Sequence, residues 1–157
     1  MVFEKWVRPL IVARFEGQRM NSPTHSGHCY CGKVRFAATG PIRNLCICHC
    51  ESCRRAAGAA FVGWGTVDAD RFRIVSGKPA VVRTSIHVER TFCANCGSSL
   101  TYSHSHRPGD LDFTLVLLDD PSPLAPRMHI WVQDKLPWVT LDDGLPQFQT
   151  VPGTGVS

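Results

Sequence analysis

The stretch that decides the fold is residues 88–97, VERTFCANCG, in which a short alternating segment runs into a Cys-x-x-Cys turn. The alternation of its first five residues predicts a β-strand. Two cysteines at this spacing place their sulfurs about 2.3 Å from a tetrahedral zinc ion, and Gly97 suits a turn that requires a positive φ. Cys93 and Cys96 therefore form the strongest single metal-ligand unit in the sequence.

A closed zinc site needs four ligands, so Cys93 and Cys96 require two partners from elsewhere in the chain. Cys29 and Cys31 are the best candidates, because this Cys-x-Cys pair leads directly into a predicted strand that begins at Val34. Joining the two pairs would clip the first strand onto the middle of the chain. A disulfide or free core cysteines are the alternative, which a reducing compartment disfavours.

A second cluster, Cys48-x-Cys50-x-x-Cys53, supplies three ligands on one short segment. Three protein ligands leave the fourth tetrahedral position unassigned, and open positions are typical of catalytic zinc. If the site were instead structural, Cys46 or His49 would fill that position. Cys46 is also a candidate for a plain buried thiol, since small sulfur side chains commonly pack in cores.

Further candidate site residues are cationic or imidazole side chains outside the cysteine pattern. A zinc ion held by three thiolates carries net negative charge, and Arg54 and Arg55 could neutralise it, bind a substrate carboxylate or form a solvated surface pair. His129 lies in an apolar, strand-like run, where a core role competes with a substrate contact. His104 and His106 belong to a predicted exposed hairpin loop that could bind metal adventitiously.

The chain of 157 residues suits one ordinary domain, which we expect to cover residues 26–150. Segments rich in β-branched and aromatic residues predict a mainly β fold of short antiparallel sheets, and only residues 51–57 look helical. We expect residues 1–25 to be an N-terminal extension, with Met20 as an alternative start, and residues 151–157 to be a flexible tail. The predicted strands are residues 34–38, 60–66, 72–75, 80–84, 88–92, 100–103, 113–118 and 128–132.

The composition excludes several classes of protein. It is 43% hydrophobic and 19% charged, which is ordinary for a globular domain. Basic residues are scattered and the formal net charge is only +4, so we expect no nucleic-acid partner. The sequence contains neither the roughly 18 consecutive apolar residues of a membrane span nor a signal peptide, so we expect no membrane association and a cytoplasmic location.

Seven motifs spread from residue 27 to residue 148 carry a family resemblance. They are GHCYCGKVRF (27–36), CHCESCRR (48–55), GAAF (58–61), RTFCANCGSSL (90–100), LDDP (118–121), PRMHIW (126–131) and LPQF (145–148). In this order they resemble the glutathione-dependent formaldehyde-activating enzyme family, also called the centromere-protein-V-like family. An ordered set of motifs is far more specific than one Cys-x-x-Cys.

The resemblance implies a β-tent-type fold with two zinc ions per chain. The structural zinc would be held by Cys29, Cys31, Cys93 and Cys96, and the catalytic zinc by Cys48, Cys50 and Cys53. The implied activity is a carbon–sulfur lyase reaction, the condensation of formaldehyde with glutathione to S-hydroxymethylglutathione. The expected partners are therefore glutathione or another small thiol and a small aldehyde, while the oligomeric state stays open. The alternative is a non-catalytic zinc module that binds glutathione or a protein.

Overall fold

The computed structural model describes residues 22–153, which form ten β-strands, one α-helix and four short 3-10 helices. The strands are β1 Thr24–His28, β2 Arg35–Thr39, β3 Arg43–Cys48, β4 Val62–Asp68, β5 Phe72–Ser76, β6 Ala80–Arg83, β7 Val88–Phe92, β8 Ser99–His104, β9 Asp110–Thr114 and β10 His129–Ile130. The α-helix is α1 Glu51–Ala57, and the 3-10 helices cover Ala69–Arg71, Leu115–Leu117, Ser122–Leu124 and Val132–Asp134. Most of the expected N-terminal extension, including Met20, and the end of the expected tail lie outside the described residues.

The strands form two sheets. A three-stranded sheet has the order β1-β2-β5, and a seven-stranded sheet has the order β10-β3-β4-β9-β8-β7-β6. Neighbouring strands are antiparallel throughout except for β10, which pairs with β3 in parallel over two residues. This exception matters because it brings His129 beside the end of β3, where the second cysteine cluster begins.

The main core joins the two sheets through aromatic packing. Phe36 on β2 lies 5.2 Å, between ring centroids, from Phe72 and 6.1 Å from Phe113 on β9. Phe36 and Phe113 are both fully buried, and burial of each contributes about 1.5 to 3 kcal/mol. Gly27 on β1 permits this packing, because a Cβ atom there would lie 2.4 Å from the Phe36 ring and 2.5 Å from the Leu117 carbonyl oxygen.

The single α-helix begins and ends at residues with capping contacts. The Cys50 sulfur accepts a hydrogen bond from the Cys53 backbone N–H at 3.3 Å, so a thiol takes the place of the usual hydroxyl or carboxylate cap. Gly58 ends the helix in the left-handed conformation, with φ of 62°. Within residues 22–153, no helix is long and apolar enough to cross a membrane.

The expected mainly β fold with one short helix is confirmed, and α1 covers the predicted residues 51–57. The predicted strand at 113–118 is wrong in its second half, because the chain leaves β9 after Thr114 and turns into a 3-10 helix that buries Leu115. The predicted strand at 128–132 shortens to β10. β1 and β3 were not predicted. In the case of β1, the residues are polar and loop-like, and the strand forms through its pairing with β2.

Candidate metal centres

The first cluster brings together four sulfurs from two distant turns. The Sγ atoms of Cys29, Cys31, Cys93 and Cys96 all lie within 4.8 Å of one another, with 3.5 Å between Cys29 and Cys31 and 3.8 Å between Cys31 and Cys93. A tetrahedral ion with bonds of about 2.3 Å requires sulfurs about 3.8 Å apart. The four residues therefore have the spacing of a closed, four-sulfur metal site.

Local hydrogen bonds shape both turns of this first cluster. The backbone N–H of Gly97 donates to the Cys93 carbonyl at 2.8 Å, and Gly97 has φ of 78°, which confirms the expected positive-φ turn. Ser98 links the turns, because its Oγ accepts from the Tyr30 N–H at 3.0 Å and lies 3.3 Å from the Cys96 sulfur. Hydrogen bonds from Ser98 lower the pKa of Cys96 to about 5, which favours the thiolate that a metal requires.

The second cluster contains three sulfurs. Cys48 ends β3, Cys50 caps α1, and Cys53 lies within α1, and their sulfurs are all within 4.8 Å of one another. Neither Cys46 nor His49 belongs to this group. The arrangement is therefore a three-sulfur site whose fourth ligand does not come from the two residues that the sequence offered.

Cys46 has a separate environment. It is buried against Trp64 and the residues of the second cluster, but its sulfur belongs to neither the four-sulfur nor the three-sulfur cluster. Burial raises the pKa of Cys46 to about 12, so this thiol stays protonated. Cys46 is thus a buried thiol that belongs to neither cluster.

The cation beside the second cluster is Arg90, on β7. Its Nη2 lies 3.7 Å from the Cys53 sulfur, and its guanidinium stacks over the Tyr102 ring at 4.7 Å from the centroid. Arg90 is only 5% exposed, and its Nη1 has no hydrogen-bond partner among residues 22–153. Hydrogen bonds from the Cys48 and Cys50 thiols, together with Arg90, lower the pKa of Cys53 to about 2, so the cluster carries a thiolate.

The three-sulfur cluster opens onto a large cavity. The cavity has a volume of about 1270 Å³. Its lining combines the cluster sulfurs with aromatic and polar side chains, including Trp64, Tyr102, Trp131, Asn44, Thr66, Arg107 and Asp112. Aromatic walls with a few polar groups are typical of small-molecule sites. The four-sulfur cluster, by contrast, contributes nothing to this lining.

The three predicted substrate contacts lie in different places. Arg55 lines the cavity, with an exposed side chain that pairs with Glu51 at 2.7 Å. Arg54 does not line the cavity, and its Nε donates to the His49 carbonyl at 3.1 Å. His129 is 2% exposed and does not line the cavity.

His129 instead belongs to a hydrogen-bonded series of two buried histidines and an exposed carboxylate, which the sequence did not predict. The His49 Nε2 lies 2.9 Å from His129 Nδ1, and His129 Nε2 lies 2.9 Å from the nearer carboxylate oxygen of Asp143. Burial lowers the pKa of His49 and so favours its neutral ring. Two features of the sequence could have indicated this contact: His49 lies between two candidate cysteine ligands, and His129 lies in an apolar run. For Arg90, the signal was an arginine in the alternating strand at 88–92.

The histidine loop between β8 and β9 forms the expected hairpin. His104 and His106 meet a third histidine, His87, with ring centroids 5.7 Å and 4.3 Å from it. In the described part of the chain, however, only the two cysteine clusters bring three or more ligand atoms within 4.8 Å of one another. Only His87 and His104 are stacked, while His106 is tilted against His87 and edge-on to His104.

Comparison with known proteins gives partial matches to two curated fungal proteins. A Schizosaccharomyces pombe protein described as an uncharacterized lyase is 29% identical over 86 residues, covering 54% of this chain and 61% of the relative. A Phaeosphaeria nodorum protein, provisionally named a glutathione-dependent formaldehyde-activating enzyme, is 30% identical over 97 residues, covering 59% of this chain and 51% of the relative. The matches span about half to three-fifths of these relatives.

A solved structure and a protein-family model also match this chain. The crystal structure of a Rhodobacter sphaeroides protein superposes with a TM-score of 0.50 at 18% identity, covering 78% of this chain and 98% of that chain, which is a likeness of fold alone. The family model for the glutathione-dependent formaldehyde-activating enzyme matches residues 24–134, more than half of the chain and inclusive of both cysteine clusters. The chain therefore belongs to the glutathione-dependent formaldehyde-activating enzyme family.

Proposed function

We propose that this protein is a zinc-dependent carbon–sulfur lyase that joins a small aldehyde to the sulfur of glutathione or a related thiol. The observation that carries the proposal is the three-sulfur cluster opening onto a cavity of about 1270 Å³. A four-sulfur cluster outside that cavity supports a division into one structural and one catalytic ion. Family membership and the names of the fungal relatives support the reaction class.

Zinc fits the residues present at both clusters. All the donors are cysteine sulfurs, and soft thiolate ligands favour zinc over magnesium, calcium or manganese. We assign one ion to Cys29, Cys31, Cys93 and Cys96 and a second to Cys48, Cys50 and Cys53. When bound at the second cluster, zinc supplies Lewis acidity that can lower the pKa of a thiol or polarise an aldehyde oxygen.

The proposed reaction needs no oxidant or reductant. The sulfur of the thiol forms a bond to the aldehyde carbon, and the C=O double bond becomes a C–O single bond. The proton lost by the thiol is balanced by the proton gained by that oxygen, giving a hydroxymethyl thioether from formaldehyde. The reverse reaction breaks the same carbon–sulfur bond, so one site serves both directions.

The chain's own residues supply binding and charge balance. Arg90 is buried against Cys53, so its positive charge offsets the negative charge that a substrate thiolate would add to a three-thiolate cluster. In the cavity walls, Trp64, Tyr102 and Trp131 provide apolar surface for a peptide-like thiol. Arg55 is the predicted substrate contact that reaches the cavity and is available to a carboxylate.

The test is the exchange rate between formaldehyde and glutathione, measured by NMR in buffer, with wild type and with Cys53→Ser. We expect wild type to accelerate exchange above the spontaneous rate and Cys53→Ser to lose that acceleration. Zinc content should fall from two ions to one in Cys53→Ser and stay at two in Cys46→Ala, because Cys46 lies in neither cluster. Equal rates in buffer and with wild type would remove the enzyme proposal in favour of a non-catalytic binding module.

A further inference from the structure

Three hydrogen-bonded side chains, His49, His129 and Asp143, lie next to the three-sulfur cluster in the chain or in space without lining the cavity, and the two histidines are buried. His49 is 0% exposed and sits between two of the cluster's cysteines, yet it does not line the cavity that Cys48 and Cys50 line. Its ring instead contacts His129 and the Phe61 ring. His49 is therefore placed to act on the cluster through the backbone rather than by touching a substrate.

Hydrogen bonds connect these three side chains in the order Asp143, His129, His49. Asp143 is a carboxylate that accepts at 2.9 Å and 3.1 Å, so His129 Nε2 carries the proton that is donated to it. His129 Nδ1 in turn lies 2.9 Å from His49 Nε2, so one hydrogen bond joins the two rings. His49 Nδ1 is buried and has no hydrogen-bond partner in residues 22–153. The carboxylate thus fixes the orientation of the His129 ring, and that ring fixes His49.

Backbone hydrogen bonds attach the same residues to the C-terminal segment. The His49 N–H donates to the Ile130 carbonyl at 3.0 Å, beside the parallel pairing of β10 with β3. The His129 N–H donates to the Pro146 carbonyl at 2.8 Å, and the Phe148 N–H donates to the His129 carbonyl at 2.9 Å. The segment around residues 143–148 therefore fixes the position of His129 by hydrogen bonds. His129 in turn contacts His49, the residue between Cys48 and Cys50.

We propose that His49, His129 and Asp143 are positioning residues for the Cys48, Cys50 and Cys53 cluster. This inference rests on the proposed metal centre. An imidazole fixed on the far side of the chain limits rotation of the segment that carries Cys48 and Cys50, and so keeps their sulfurs at the spacing a metal ion needs. Residues just outside a metal's ligands commonly act in this way, and their loss typically weakens metal binding by about 10- to 100-fold.

The experiment measures metal retention and absorption in the cobalt-loaded protein, with the Cys53→Ser spectrum subtracted to isolate the second cluster. His129→Leu removes both hydrogen bonds, whereas His129→Asn keeps an acceptor where Nδ1 lies. We expect about tenfold less chelator to strip the second ion from His129→Leu, with altered sulfur-to-cobalt absorption, and a smaller loss for His129→Asn, which keeps a contact to His49 but loses the one to Asp143. Asp143→Ala should resemble His129→Leu, and Asp142→Ala, which changes the neighbouring exposed carboxylate, should resemble wild type.

Wild-type metal retention and spectrum in both His129→Leu and Asp143→Ala would overturn the inference. Equal losses in Asp143→Ala and Asp142→Ala would also overturn it. Because Asp143 is exposed, its variant decides the question if His129→Leu fails to fold. A wild-type protein that binds two ions but does not accelerate exchange would contradict the proposed reaction and leave this inference standing, since its readout is metal retention.

Discussion

Replacing Cys96 with serine should destabilise the whole fold through loss of the four-sulfur metal site. Cys96 is only partly buried, so the substitution leaves no large cavity, and its main effect is on metal binding. The site joins turns that are far apart in the sequence, since Cys93 follows Cys31 by 62 positions. In a chain whose ligands are brought together by folding, metal-binding free energy is folding free energy.

The separation of these turns gives the expected magnitude. A cross-link that closes a loop of 62 residues removes about 4 kcal/mol of unfolded-chain entropy at 25 °C. This value applies when the ion is lost together with Cys96. At about 3 °C per kcal/mol for a chain of this size, we expect the Tm of Cys96→Ser to fall by about 12 °C.

Thermal unfolding followed by circular dichroism, with zinc content measured on the same samples, tests this prediction. Cys46→Ala is the matched control, because it removes a buried thiol outside both clusters and should cost only about 1 kcal/mol while both ions are kept. Treatment of wild type with a chelator should lower its Tm at least as far as the substitution does. A Cys96→Ser protein with wild-type Tm and two zinc ions would refute the reasoning.

Two further substitutions test other parts of the molecule. Arg90→Met should raise the thiol concentration that gives half-maximal exchange by roughly tenfold, because a charged hydrogen bond worth about 1.5 kcal/mol or more is lost. The zinc content of this variant should stay at two ions. Unchanged kinetics would exclude a role for this charge. Gly27→Ala should lower the free energy of unfolding by about 1 to 3 kcal/mol, because its Cβ would clash with Phe36 and Leu117. Gly109→Ala is the control, since a Cβ there has no atom within 4 Å and should leave the free energy of unfolding almost unchanged. Denaturant unfolding measures both values.

Cysteine spacing was enough to predict both clusters and the strand that follows the first. Ligands two or three residues apart reach one ion through local geometry alone, so their grouping requires little knowledge of the fold. Residues 51–57, the one segment that looked helical, form α1 as predicted. The pairing of Cys29 and Cys31 with Cys93 and Cys96 followed from counting ligands, and the structure brings these four sulfurs together.

Residues that depend on tertiary placement were beyond this reasoning. The candidate cations in the sequence were next to Cys53, at Arg54 and Arg55, whereas the guanidinium that contacts Cys53 comes from β7, 37 positions away. The contact between His49 and His129 requires the parallel pairing of β10 with β3, which no local pattern encodes. Apolar runs were also ambiguous, since Leu115–Leu117 forms a 3-10 helix rather than a strand.

The most direct test of the account is whether glutathione reaches the metal at the three-sulfur cluster. The measurement is the absorption of the cobalt-loaded protein as glutathione is added, with wild type compared to Cys53→Ser. A site with three protein sulfurs leaves one position for a further donor, so the wild-type spectrum should change and saturate, while the Cys53→Ser spectrum should stay constant. A wild-type spectrum that is unaffected by glutathione would contradict the central claim that this centre is open to a thiol substrate.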